Sequence, residues 1–390
     1  MFRRVYLDNS ATTRVADEVF EAMLPFLRDS YGNPSSIHRF GQEARTAVDK
    51  ARHQVAAMLN ARPNEVLFTS GGTESNNLAI RGFAQTNAKY GNHIITSAIE
   101  HPAVLNVCED LAEQGFEITH LPVYANGIVR MDDLNAAIRD DTILITIMAA
   151  NNEIGTLQPV EAIGRLVREL RKSGSRVRFH TDAVQAVGKI TTDVEAIGCD
   201  MLSLSGHKIN APKGIGALYV RRGTRLHAQN VGGRQERGLR GGTEAVPGIV
   251  GLGTAADIAA REMPQVAERT RRLRDRIEQS IAEQVSDITF NGDRIDRLPN
   301  IANISFRGVE GEGLLINLDM AGVAVSTGSA CSSGSLEPSP VIRALDADDE
   351  TARSAIRFSL GRYNSDDDID RLLEILPQAV ENLRRLAPPK

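Results

Sequence analysis

ILITIMAANNEIGTLQPVEAIGRLVRELRKSGSRVRFHTDA, residues 143–183, carries the pattern that decides the fold. ILITIMA (143–149) is an unbroken apolar run of strand length, and RVRFHTDA (176–183) reads as a second buried strand. Between them, VEAIGRLVRELRKSG (160–174) sets Ile163, Leu166, Val167 and Leu170 on one helical face and stops at Gly174. Strand, helix, strand is the repeating unit of a parallel sheet. Outward from this stretch, VLFTS (66–70), HIITSA (93–98) and CDMLSLS (199–205) read as further buried strands, and ESNNLAIRGFAQTNAKY (74–90) as another helix. The alternation predicts a doubly wound α/β sheet. GIGALYVRR (214–222) follows a strand after a short connection, so one antiparallel member is expected.

The pattern changes after about residue 255. A long charged helical stretch (257–285) leads into a smaller αβ region with strands near NISF (303–306) and VAVS (323–326). The last helix is expected to start at Ser365, with Asp368 three residues on in a capping-box arrangement. At 390 residues, two domains are the prior expectation. A hydrophobic share of 42% and a charged share of 24% are ordinary for a soluble globular chain. The net charge of −5 gives no support to nucleic-acid binding. Asp8, Asn9 and Ser10 interrupt the N-terminus before a signal peptide's apolar core can form, and ILITIMAA is too short to span a membrane. Three scattered cysteines, Cys108, Cys199 and Cys331, make neither a disulfide framework nor a cysteine-rich metal site, so no metal is expected and a cytoplasmic location fits.

Four segments can carry chemistry. In SLSGHKINAPKGIGALYV (203–220), Lys208 follows a strand and precedes a glycine-rich turn, placing its amine where it can form a Schiff base with an aldehyde cofactor. A lone loop lysine is ordinarily only solvated; Ser205 and His207 beside it can donate to a phosphate. TSGGTESNN (69–77) joins a strand to a helix through two glycines, an anion-binding geometry that most Gly-Gly turns do not use. In FHTDAVQAVG (179–188), Asp182 ends an apolar strand, either as a helix cap or as the partner of a pyridinium nitrogen, with Gln185 in reach of the same ligand. In AGVAVSTGSACSSGSLEPS (321–339), Cys331 sits among small polar residues in what reads as an exposed loop, a setting for a reactive thiol. Cys108 on an apolar helix and Cys199 before a buried strand read as inert.

Taken in order, YLDNSATT (6–13), YGNPSS-x-H (31–38), SGGTESNN (70–77), EHPAV (100–104), NNEIG (151–155) and TDAVQ (181–185) resemble the class V, fold-type I pyridoxal-phosphate enzymes. SGHK (205–208), GGRQERGLRGGT (232–243), GSACSSGSLEPS (328–339) and IRFSLGR (356–362) continue the series, and GSAC with LEPS narrows it to cysteine desulfurases of the NifS/IscS type. The resemblance implies a large domain (15–257) with a mostly parallel seven-stranded sheet, and a smaller α+β domain (1–14 and 258–390) carrying the Cys331 loop. It implies that Lys208 is the Schiff-base lysine, Asp182 pairs with the pyridine nitrogen, Gln185 meets the ring hydroxyl, and His101 stacks on the ring and assists proton transfer. Gly72 (through its backbone), Thr73, Ser205 and His207 match phosphate ligands. Thr243 matches one donated by the other subunit of a homodimer. Asn152 and Arg357, with Asn33, match the holders of the substrate carboxylate.

The activity so implied is removal of sulfur from L-cysteine, giving L-alanine and a Cys331 persulfide for a sulfur-acceptor protein, either an iron–sulfur scaffold or a thiolation enzyme. The loop must swing outward for that delivery, and its serines and Gly334 suit such motion. The chain ends at RRLAPPK, short of the tail with which housekeeping members dock the scaffold, which leaves the acceptor open. Two alternatives stand beside this reading. A selenocysteine lyase or another class V aminotransferase would not need the Cys331 loop for transamination, and a non-enzymatic sulfur-relay partner would not need Lys208, Asp182 and His101 together.

Overall fold

The computed structural model describes residues 4–327 and 338–386. Its centre is a seven-stranded sheet in the order Val66–Thr69, Gly216–Val220, Met201–Ser205, Arg178–Asp182, Thr142–Thr146, His93–Ser97, Glu117–Leu121. Gly216–Val220 is the antiparallel member, and the other neighbours pair parallel. The inner strands are buried, the half-buried Arg178 apart, because helices cover both faces, which is why they read as mostly apolar runs. Glu117–Leu121 was not foreseen: it is an edge strand with two exposed residues and no apolar run.

The helices follow the sequence pattern with modest shifts. Val160–Lys172 buries Ile163 and Val167, with Leu166 and Leu170 packed on the same core. Gly72–Asn87 begins directly after the first strand. The stretch foreseen as 257–285 is longer, one helix from Val246 to Gln284. Its first half (Ile249, Leu252, Ala255, Ala256) joins the core of the large sheet, and its second half (Leu273, Ile277, Ile281) joins another core with Val5, Leu7, Phe306, Phe358 and Leu372. A division after residue 257 therefore falls inside a helix, with no linker between the cores.

The second core lies against an antiparallel sheet ordered Ala355–Ser359, Ile301–Phe306, Ile288–Phe290. Val323–Ala324 pairs in parallel with Val5–Tyr6, tying the start of the chain to this region. The last helix runs Asp366–Leu386, and the Ser365 N–H donates to Asp368 Oδ2 at 3.1 Å, one of the bonds of the expected capping box. Among the described residues no helix is long and apolar enough to cross a membrane.

Candidate active site

Open α/β sheets bind ligands beyond the carboxyl ends of their strands. Asp182 is the last residue of Arg178–Asp182, and Lys208 closes the short 3-10 turn Gly206–Lys208 after Met201–Ser205. His101 follows His93–Ser97 and caps the helix Pro102–Glu113. Gly72 and Thr73 open the helix Gly72–Asn87, and Asn152 follows Thr142–Thr146. With Gln185, Ser205 and His207, these residues line one cavity of about 210 Å³.

The cavity is polarised. At one side, Gly72 and Thr73 present the amino end of a helix beside Ser205 and His207, a set suited to a phosphate. Gly72 is needed there for space, since a Cβ would lie 2.7 Å from Val184 Cγ2. Burial, reinforced by Lys208, Lys213 and Lys189, pushes the His207 imidazole down to about 4, so at neutral pH it offers a hydrogen bond without charge. The buried Asp182 carboxylate accepts from Asn76 Nδ2 at 2.7 Å and from the Val184 N–H at 2.9 Å, which fixes its direction.

Two further groups are held on the cavity wall. His101 Nδ1 accepts from the Ala103 N–H at 3.0 Å, so the neutral ring carries its proton on Nε2. Burial keeps this imidazole below its usual range; Lys208 acts the same way and Asp182 opposes it. Lys208 Nζ donates to the carbonyls of Ser10 and, at 2.8 Å, Ala11. Gln185 Nε2 also donates to the Ser10 carbonyl at 3.0 Å, while its Oε1 is buried with no protein partner.

Arg357 lies on the strand Ala355–Ser359 and is almost fully buried. Its Nη1 donates to the Asn152 carbonyl at 2.8 Å and its Nη2 to Asp8 Oδ1 at 2.7 Å; its Nε has no partner in the protein. Arg357 and Asn152 are thus brought together as expected. Asn33 and Thr243 are not part of this cavity: both are exposed, and Asn33 Oδ1 accepts from the Ser35 N–H at 2.9 Å. Cys331 and the surroundings expected for it lie outside the described residues. Cys108 and Cys199 are free, buried thiols, and burial raises both above the usual thiol range.

The aminotransferase class-V family profile matches residues 5–372. The chain belongs to that family. Among class V relatives, a cysteine desulfurase IscS from Dictyoglomus turgidum is 50% identical over 390 residues, covering 100% of this chain and 98% of its own length. A cysteine desulfurase from Trichormus azollae is 51% identical over 388 residues, with 99% and 95% covered. Among solved structures, a NifS-like protein matches with a TM-score of 0.91 at 38% identity, over 97% of this chain and all 100% of that one. SspA, solved in complex with cysteine, matches with a TM-score of 0.81 at 39% identity, over 93% and 100%.

The class V family works with pyridoxal phosphate, and the cavity's donor set fits that group. An uncharged histidine, two hydroxyls and a helix amino end suit the phosphate; a fixed carboxylate suits a pyridinium; the orphaned Gln185 Oε1 suits a ring hydroxyl. Sequence reasoning missed three neighbours. Asn76 follows Thr73 by three residues in the quoted SGGTESNN, so helical spacing is its only signal. Asp8 lies in the quoted YLDNSATT, but only the fold shows that it reaches Arg357. Glu100 precedes His101; its Oε1 accepts from Ser97 Oγ and the Met148 N–H, both at 2.8 Å, and burial pushes its carboxyl up to about 8.

Proposed function

We propose that this chain is a cysteine desulfurase that takes sulfur from L-cysteine onto Cys331, using pyridoxal phosphate held by Lys208, Asp182, Gln185, His101, Gly72, Thr73, Ser205 and His207. The observation that carries the proposal is the single cavity in which Lys208 and the fixed Asp182 carboxylate meet an anion-binding helix end, with Arg357 joined to its wall at Asn152. When bound, the cofactor supplies an electron sink for the bond broken at the substrate Cα.

The protein's own groups do the rest. Arg357 offers its unpartnered Nε–H to the substrate carboxylate, with Asn152 beside it, and Asp8 keeps the fork oriented until substrate arrives. The Lys208 amine would be the group that takes the proton from the substrate Cα. His101, neutral with its proton on Nε2, serves proton transfer at the sulfur. The Cys331 thiolate then attacks the substrate sulfur. A sulfur–sulfur bond forms, the carbon–sulfur bond breaks with its electron pair staying on the carbon fragment, and protonation of that fragment gives alanine. The persulfide sulfur passes next to a thiolate of an acceptor protein, an iron–sulfur scaffold or a thiolation enzyme.

Thr243, exposed and away from its own chain's cavity, is the phosphate donor to a second copy in a homodimer, and the reaction runs in the cytoplasm. The test is Cys331→Ala. The variant should keep the visible absorbance of bound cofactor yet form no persulfide and release no alanine above background from L-cysteine. Persulfide at the wild-type rate would exclude Cys331 as the acceptor.

A further inference from the structure

Asn152 sits in a turn, 151–155, that is held by more than its bond to Arg357. Asn151 is fully buried, and its Oδ1 accepts from the N–H groups of Glu153 at 2.8 Å and Ile154 at 3.0 Å. Its Nδ2 donates to the Ile99 carbonyl at 2.9 Å, two residues before His101. The turn closes at Gly155, where φ is 76° and a Cβ would lie 3.1 Å from Ile301 Cβ.

Glu153, the residue after Asn152, is where this turn meets the sheet of the second core. Its carbonyl accepts from Asn303 Nδ2 at 3.2 Å, and Asn303 stands opposite Arg357 where Ile301–Phe306 pairs with Ala355–Ser359. Its side-chain Oε2 accepts from Ser339 Oγ at 2.6 Å. Ser339 Oγ accepts in turn from the Ile342 N–H at 3.2 Å, at the start of the short helix Pro340–Arg343, whose Val341 and Ile342 lie in the core of the large sheet. Glu153, Asn303 and Ser339 are all buried. A carboxyl group in such a place is costly unless it is bonded, and burial pushes Glu153 above the ordinary carboxylate range against the pull of Ser339 and Arg357.

We propose that Glu153 is a positioning residue for the substrate carboxylate: bonded to Ser339 and Asn303, it fixes the turn that presents the Asn152 carbonyl to Arg357 Nη1, and so sets the direction of the guanidinium. This rests on Arg357 being the holder of that carboxylate. Glu153 acts only through Asn152 and Arg357 and needs no contact with substrate. A supporting shell that lets a binding group drift by about 1 Å is enough to weaken the site.

The test is an equilibrium titration of the cofactor-loaded enzyme with L-alanine, followed by the cofactor's visible absorbance. L-alanine has the substrate's carboxylate and no sulfur to lose. Glu153→Ala should raise the Kd for L-alanine about tenfold and leave the absorbance of the ligand-free enzyme unchanged. Ser339→Ala should weaken binding by a similar factor, and the double variant by no more than either alone, since the two act through one bond. Glu153→Gln keeps an acceptor for Ser339 and should stay within about threefold of the wild type. Equal Kd values in the wild type and in whichever of the two alanine variants fold, or losses that multiply in the double variant, would overturn the role of Glu153. Arg357→Lys separates this inference from the reading beneath it. A Kd raised by Arg357→Lys and not by Glu153→Ala or Ser339→Ala strikes only the role of Glu153, whereas a Kd unmoved by Arg357→Lys removes the carboxylate site itself.

Discussion

Arg357 shows how much of the site is decided by single donors. Its guanidinium bonds Asn152 and Asp8 and still keeps Nε unpartnered inside the protein, where an orphaned donor is costly. A planar fork serves both protein acceptors and a substrate carboxylate, whereas a lysine ammonium is a point charge. Arg357→Lys should therefore raise the KM for L-cysteine by about 10- to 100-fold and change kcat less, as steady-state kinetics will show. Glu100 makes the opposite case, a carboxyl whose neutral form suits its place. Its folded-state value of about 8 stands well above its ordinary value of 4.5, because burial disfavours the anion. The stability contributed by the neutral form is full below about pH 4.5 and is lost as pH rises through 8. Glu100→Gln stays neutral at all pH, and its carbonyl can still accept from Ser97 and Met148. The variant should match the wild type near pH 5 and exceed its unfolding free energy by about 1–3 kcal/mol at pH 9, read from denaturant midpoints.

Among the elements, the helix Gly72–Asn87 matters most to the site because its amino end forms one wall of the cavity. Gly72 lets that end sit against Val184 and Ser205; a Cβ would stand 2.7 Å from Val184 Cγ2 and 3.6 Å from Ser205 Cβ. Gly72→Ala should loosen cofactor retention about tenfold, measured by absorbance after dialysis, with a stability cost of only about 1–2 kcal/mol. The buried strands were legible because burial on both faces writes itself as an unbroken apolar run, as in ILITIMA. The edge strand Glu117–Leu121 was not, since one side of it meets water, and neither were residues 246–256 of the Val246–Gln284 helix, whose glycines and alanines carry little periodicity. Lys208, Asp182 and His101 were legible through the motifs around them. Glu100 and Asp8 were not, because what distinguishes each is the neighbour that the fold brings to it, and local sequence does not record that.

At the scale of the whole molecule, the cavity of one chain has no place for Thr243, although the family resemblance gives that residue a phosphate. Thr243 lies on the surface just before the helix that starts at Val246. Near the start of that helix, Gly251 packs against Met23 of the helix Asp17–Arg28, whose Phe20, Leu24 and Leu27 are exposed, with exposed Tyr31, Ile37 and Phe40 shortly after it. Apolar side chains left exposed in so short a stretch of the chain favour a second copy as the covering surface. Sedimentation should then give twice the chain's 42.3 kDa. A symmetric pair also makes a sharper demand. On the proposed reading, Lys208→Ala removes the cofactor's lysine from a chain's own cavity, and Thr243→Ala removes the hydroxyl that a chain would lend to its partner. In a mixed dimer, the site built on the Lys208 of the Thr243→Ala chain receives an intact Thr243 from the other chain. After subunit exchange of equal amounts, half of the dimers are mixed and each has one complete site, so about a quarter of wild-type activity should return, above the mean of the two parents. A mixture that stays at the mean of its parents would place Thr243 in the service of its own chain.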